Sequence, residues 1–162
     1  MYRTTLSVLV FALGYSASAT AAIRFDRDST LTDATGGTMH THSSGDFAAD
    51  ADNAVTAADF RNFAPREQGG SVNGSIQQKR DREGALVSLS YAGNLILNLS
   101  ADSSVQVART VNVSFEDLAV VRSEEGRTVA GDITINGRAM SAEEAPRSII
   151  AVLIGLVRLM RV

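Results

Sequence analysis

The chain has 162 residues with 18 acidic and 15 basic side chains, two histidines and no cysteine, for a formal charge of −3 at pH 7. The missing cysteines exclude disulfides, thiolate metal sites, cysteine nucleophiles and a lipidated cysteine anchor. The weakly acidic balance leaves no electrostatic footprint for nucleic acid, so no nucleic-acid partner is expected.

Residues 1–22 read as a secretory signal. Arg3 precedes an apolar run from Leu6 to Leu13, and the small residues Ala17-Ser18-Ala19 and Ala19-Thr20-Ala21 offer two cleavage sites. Export of a domain without disulfides points to a bacterium, with the product periplasmic, in the cell envelope or extracellular. Removing this leader leaves about 140 residues, enough for one buried core.

Residues 23–68 are polar and rich in small side chains, with breakers at Gly36-Gly37 and Gly45. Little apolar area is available to offset ordering entropy, so a flexible, largely irregular arm is expected. One helical exception is predicted from Thr56 to Phe63, where Thr56 and Asp59 resemble a capping box and Phe60 and Phe63 share a helical face.

The arm also carries the sharpest chemical pattern. In His40-Thr41-His42, two imidazoles two residues apart project to one side of an extended segment. They form a candidate copper or zinc pair, with Met39, Asp46, Asp50 or Asp52 to complete the shell. The segment Ala48–Asp59 resembles a calcium-binding EF-hand or dockerin-type loop through Asp50, Asp52, Thr56 and Asp59. It departs from that pattern at Ala48, where the first carboxylate belongs, and at Asn53, which replaces the turn glycine.

From residue 69 the texture changes to alternation, and an antiparallel β domain is expected over 69–140. The strands predicted are Ser71–Gln77, Ala85–Tyr91, Asn94–Ser100, Val105–Val107, Thr110–Phe115 and Thr128–Ile135. Leu95, Leu97 and Leu99 should form a core face, with Asn94, Ile96 and Asn98 opposite. Tyr91-Ala92-Gly93-Asn94 reads as a tight hairpin turn, while Asn73-Gly74 reads as a turn or a bulge. Lys79, Arg80 and Arg82, interrupted by Asp81 and Glu83, are expected in a solvated turn.

A faint repeat links Phe60-Arg61-Asn62-Phe63-Ala64 and Gly70–Ile76 to Phe115-Glu116-Asp117-Leu118-Ala119 and Arg127–Ile133. Two copies suggest a duplicated hairpin within one sheet rather than a solenoid. The second copy is ambiguous. Phe115, Leu118, Ala119 and Arg122 have helical spacing, whereas Val120 and Val121 favour the extended structure expected there.

No Gly-x-Ser-x-Gly elbow, phosphate-cradling loop or dinucleotide fingerprint occurs. Carboxylates at Glu116, Asp117, Glu124, Glu125, Asp132, Glu143 and Glu144 would have to converge to support acid–base chemistry. Enzymatic function is therefore not expected, and no cofactor is assigned.

Residues 141–162 form an apolar C-terminal helix or tail, in which Ile149–Val157 is bracketed by Arg147, Arg158 and Arg161. An apolar helix followed by a basic end is similar to bacterial C-terminal sorting signals, although only Glu143-Glu144-Ala145-Pro146 precedes it. The run is shorter than the roughly 20 residues a span requires. Docking on the sheet, association with membrane and an exposed partner-binding tail are the three readings.

These elements predict a mainly β protein. It would be an antiparallel β-sandwich or open barrel with a C-terminal apolar helix and an irregular N-terminal arm. The function expected is that of a non-catalytic secreted or cell-envelope protein acting through interaction with a protein partner or self-association, tethered by its C-terminal apolar segment in the membrane-associated reading. The alternative is a periplasmic metal or small-ligand binding protein using His40 and His42.

Overall fold

The computed structural model describes residues 3–9, 23–48, 51–65, 70–83, 86–99, 109–123 and 126–160. The strands are β1 (Arg3–Leu9), β2 (Ile23–Thr32), β3 (Thr38–Phe47), β4 (Ala51–Phe63), β5 (Ser71–Glu83), β6 (Leu86–Leu99) and β7 (Arg109–Ser123). They are followed by β8 (Gly126–Ala130), β9 (Asp132–Ile135), β10 (Arg138–Ser141) and, as the one helix among the described residues, α1 (Arg147–Leu159).

All strands belong to one antiparallel sheet in the order β1-β2-β3-β4-β5-β6-β7-β9-β10, with β8 also paired to β7. The ends of that order do not pair with one another, so the sheet is open. The mainly β, antiparallel architecture and the C-terminal apolar helix agree with the sequence. The extent of the sheet differs, because residues expected in an irregular arm supply β2, β3 and β4.

That difference has a physical cause. The inner face of β3 buries Met39, Thr41 and Ser43, and that of β4 buries Asp52, Ala58 and Phe60. Among these, Thr41, Ser43, Asp52 and Ala58 give little hydrophobic signal, and the hydroxyls find partners only once the strands pair. Ser29 Oγ meets Thr41 Oγ1 across β2 and β3, and Ser43 Oγ lies 3.0 Å from Thr56 Oγ1 across β3 and β4.

Alternation sorts the remaining strands cleanly. Leu95 and Leu97 are buried and Leu99 is partly buried, while Ile96 on the other face is 44% exposed. One hydrophobic cluster runs from Met39 through Phe60, Phe63, Ile76, Tyr91 and Phe115 to Leu156 and Met160. Within α1, Ile149, Leu153, Leu156 and Val157 are buried, the one-sided spacing of a helix laid on a sheet. Leu153 and Val157 face Tyr91, Phe115, Leu118, Val120 and Val129 across a small apolar cavity. Before the helix, Ser141 N–H donates to Glu144 Oε2 at 3.2 Å and Glu144 N–H to Ser141 Oγ at 3.4 Å, the reciprocal pairing of a capping box.

Several local expectations are corrected. The helix predicted over Thr56–Phe63 is part of β4: Phe60 pairs with Gly74 and Phe63 with Val72, so Arg61 and Asn62 together oppose Asn73. This is a β-bulge, and it brings residues three apart onto the same face of a strand. The helical spacing of Phe115 and Leu118 has the same origin. Gly93 pairs with Phe115 and Tyr91 with Leu118, leaving Glu116 and Asp117 opposite Ala92.

The hairpin expected at Tyr91–Asn94 is absent, since β6 runs continuously through it. Thr128–Ile135 is divided at Gly131, whose φ is 115°. Lys79–Glu83 ends β5 rather than forming a turn. Arg82 Nη1 lies 3.2 Å and Arg80 Nη2 3.7 Å from Oδ2 of Asp52, whose side chain is only 4% exposed. A carboxylate so deeply placed requires such partners. The strand expected at Val105–Val107 lies outside the described residues.

Candidate functional site

The β2–β3 hairpin carries the candidate site, and its turn is built around Asp33. The Asp33 side chain is buried, and its Oδ1 accepts the N–H groups of Thr35 (2.7 Å) and Gly37 (2.9 Å) and the Thr35 hydroxyl (2.8 Å). Its Oδ2 accepts the N–H of Ala64, at the far end of β4. Burial pushes the carboxyl pKa up, but the donors from Ala64, Thr35 and Gly37 outweigh it and hold the group below its ordinary value. Asp33 thus locks the hairpin turn to the neighbouring strand.

With the turn locked, the register of β2 against β3 is defined: His42 lies opposite Asp28, His40 opposite Thr30 and Ser44 opposite Asp26. Strand alternation then places Asp26, Asp28, His40 and His42 together on the outer, solvent-facing side. His42 Nδ1 is 3.0 Å from Asp28 Oδ1 and 3.6 Å from Asp26 Oδ1. His40 Nε2 is 3.6 Å from the same Asp28 oxygen, and its Nδ1 lies 3.2 Å from Thr30 Oγ1. One ligand atom each from Asp26, Asp28 and His42 falls within 4.8 Å of the others.

The two histidines therefore share a face, as their spacing requires, but their companions differ from those expected. Met39 faces the core at 2% exposure, on the opposite side of β3. Asp46 pairs with Arg24 at 3.1 Å, and Asp52 is held by Arg80 and Arg82. Asp50 lies outside the described residues. Asp26 and Asp28 take the place of these groups. Their signal in the sequence was the Asp-x-Asp spacing, which mirrors His-x-His but lies on another strand.

The calcium-loop resemblance is also corrected. Residues 51–59 are extended within β4, and Asp52 and Asp59 have an odd separation that places them on opposite faces. Among the described residues, the Asp26, Asp28 and His42 group is the one convergence of three or more histidines and carboxylates. Glu124 and Glu125 lie outside the described residues.

No family model, curated protein or solved structure matches this chain.

The second feature of the hairpin is its edge. Seven residues of β1, all inside the segment read as an export signal, pair with β2 from Arg3 opposite Thr32 to Leu9 opposite Asp26. At the other end of the sheet, β10 pairs with β9. No helix among the described residues is long and apolar enough to cross a membrane.

Proposed function

We propose that this chain is a non-catalytic, exported β protein of a bacterial cell envelope that acts by accepting a strand from a second copy along β2. The observation that carries the reading is the pairing of β2 with residues 3–9, which lie in the segment read as a cleaved leader. Loss of that segment leaves the outer edge of a ten-residue strand without its partner. Unpaired N–H and C=O groups template the addition of another strand. β2 contains no proline and pairs residue for residue with β3 from Ile23 to Thr32, so no bulge interrupts its backbone along that edge.

The test compares residues 23–162 with the whole chain by light scattering. The shorter form should self-associate, and a peptide of residues 3–9 added in excess should return it to monomer by covering β2. A monomeric 23–162 that does not bind the peptide would overturn the reading.

A further inference from the structure

We propose that Asp26, Asp28 and His42, with His40 as the fourth ligand, form a binding site for a borderline transition-metal dication such as Zn²⁺ on the outer face of β2 and β3.

The distances carry the argument. A tetrahedral ion with bonds of about 2.0–2.1 Å holds its ligand atoms about 3.3 Å apart. The contacts of His42 Nδ1 with Asp28 Oδ1 and Asp26 Oδ1 are 3.0 and 3.6 Å, and that of His40 Nε2 with Asp28 Oδ1 is 3.6 Å. The ligand atoms of Asp26, Asp28 and His42 thus already stand together near the spacing that one small ion imposes, and His40, whose Nε2 lies 3.6 Å from Asp28 Oδ1, completes the shell by a side-chain rotation.

Orientation agrees with the distances. Thr30 contacts Nδ1 of His40, which leaves Nε2 directed towards Asp28. A hydrogen bond to the non-ligating nitrogen is how metal-binding histidines are usually aimed. The carboxylates are two residues apart on β2 and the imidazoles two apart on β3, so the site spans a backbone ladder and needs no loop to fold around the ion.

The ligand chemistry selects the class of ion. Two imidazoles and two carboxylates suit Zn²⁺, Cu²⁺ or Ni²⁺. Ca²⁺ and Mg²⁺ favour oxygen-only shells. All four side chains are about half exposed, at 47–67%, so an ion can enter without opening the fold.

The experiment is titration calorimetry of the whole chain with ZnCl₂, repeated with CaCl₂. One Zn²⁺ per chain is expected, with a dissociation constant below about 10 µM and no comparable Ca²⁺ binding. His42→Ala and Asp28→Asn should each weaken Zn²⁺ binding at least tenfold. Asp46→Asn, which alters a nearby carboxylate paired with Arg24, should leave it unchanged. Circular dichroism of each variant checks that the sheet is retained. Absence of Zn²⁺ binding, or binding that survives both His42→Ala and Asp28→Asn in folded protein, would overturn the proposal. Equal affinity for Ca²⁺ would overturn it too, reducing the cluster to exposed ion pairs. The outcome is independent of strand addition at β2, which is read by mass rather than by metal.

Discussion

Asn62 and Asp117 hold the same left-handed backbone conformation, with φ of 49° and 52°, in bulges of β4 and β7. Each follows a buried Phe by two residues and precedes a buried apolar residue: Phe60 and Phe63 in the first case, Phe115 and Leu118 in the second. The later halves of the two segments match as well, since Gly74 and Gly131 both have φ of 115°. The faint sequence repeat is therefore a repeat of backbone geometry. Its side-chain bonding is not duplicated. Asn62 N–H donates to Asn73 Oδ1 at 2.9 Å and Asn73 Nδ2 donates to Asn62 Oδ1 at 3.1 Å, whereas Ala130 occupies the position equivalent to Asn73.

The left-handed position should tolerate Gly and reject a β-branched residue. Asn62→Val is expected to destabilise the protein by about 1–2 kcal/mol, because two γ-carbons on Cβ crowd the flanking backbone in this conformation, which asparagine tolerates. Asn62→Gly should cost less than Asn62→Val, as it loses only the exposed side-chain pairing with Asn73. Urea denaturation of the two variants measures the difference; equal losses would show that side-chain bonding, not backbone conformation, dominates there.

Two glycines should respond to alanine in opposite directions. A Cβ on Gly74 would sit 2.1 Å from the carbonyl oxygen of Asn94, at a φ that alanine resists. Gly74→Ala is expected to cost about 2–4 kcal/mol through overpacking and backbone strain. A Cβ on Gly155, within α1, meets nothing within 4 Å, so Gly155→Ala should stabilise by up to about 1 kcal/mol through helix propensity. Thermal melts of both variants should shift in opposite directions.

Asp33 should make stability depend on acid. Its pKa is lowered from the ordinary value of 3.8, so the folded state binds its proton less readily than the unfolded chain does. The contribution of the ionised group is fully present above 3.8 and is lost as pH falls through the lower, folded value. In Asp33→Asn this dependence should flatten, at a cost near neutrality of about 1–3 kcal/mol from weakened charge-assisted hydrogen bonds. Urea midpoints measured from pH 7 down to pH 2 test the sign. An acid limb as steep in Asp33→Asn as in the parent chain would assign it to other carboxylates.

The sheet was legible wherever aliphatic residues alternate, as in Leu95, Leu97 and Leu99 of β6. It was hidden in β2, β3 and β4, where Thr41, Ser43, Asp52 and Ala58 are buried. Polar and small residues acquire a reason to be inside only when a neighbouring strand supplies their hydrogen bonds. The two helix-like spacings arose because a bulge moves a strand's face by one residue, which imitates helical periodicity over three positions.

Local chemistry, carried by the sequence alone, determined the β character of the later chain, the apolar nature of Ile149–Val157 and the placement of His40 and His42 on one side of an extended segment. These follow from periods of two and 3.6 residues that need no distant partner. Tertiary structure decided what those side chains meet. Two acidic residues that follow the histidines in sequence go elsewhere, Asp46 to Arg24 and Asp52 to Arg80 and Arg82. Asp26 and Asp28 reach the histidines because β2 and β3 pair in one register, secured by Asp33 at their turn. A shift of one residue in that register would turn the carboxylates to the other face, and register is a property of paired backbones that neither strand specifies by itself.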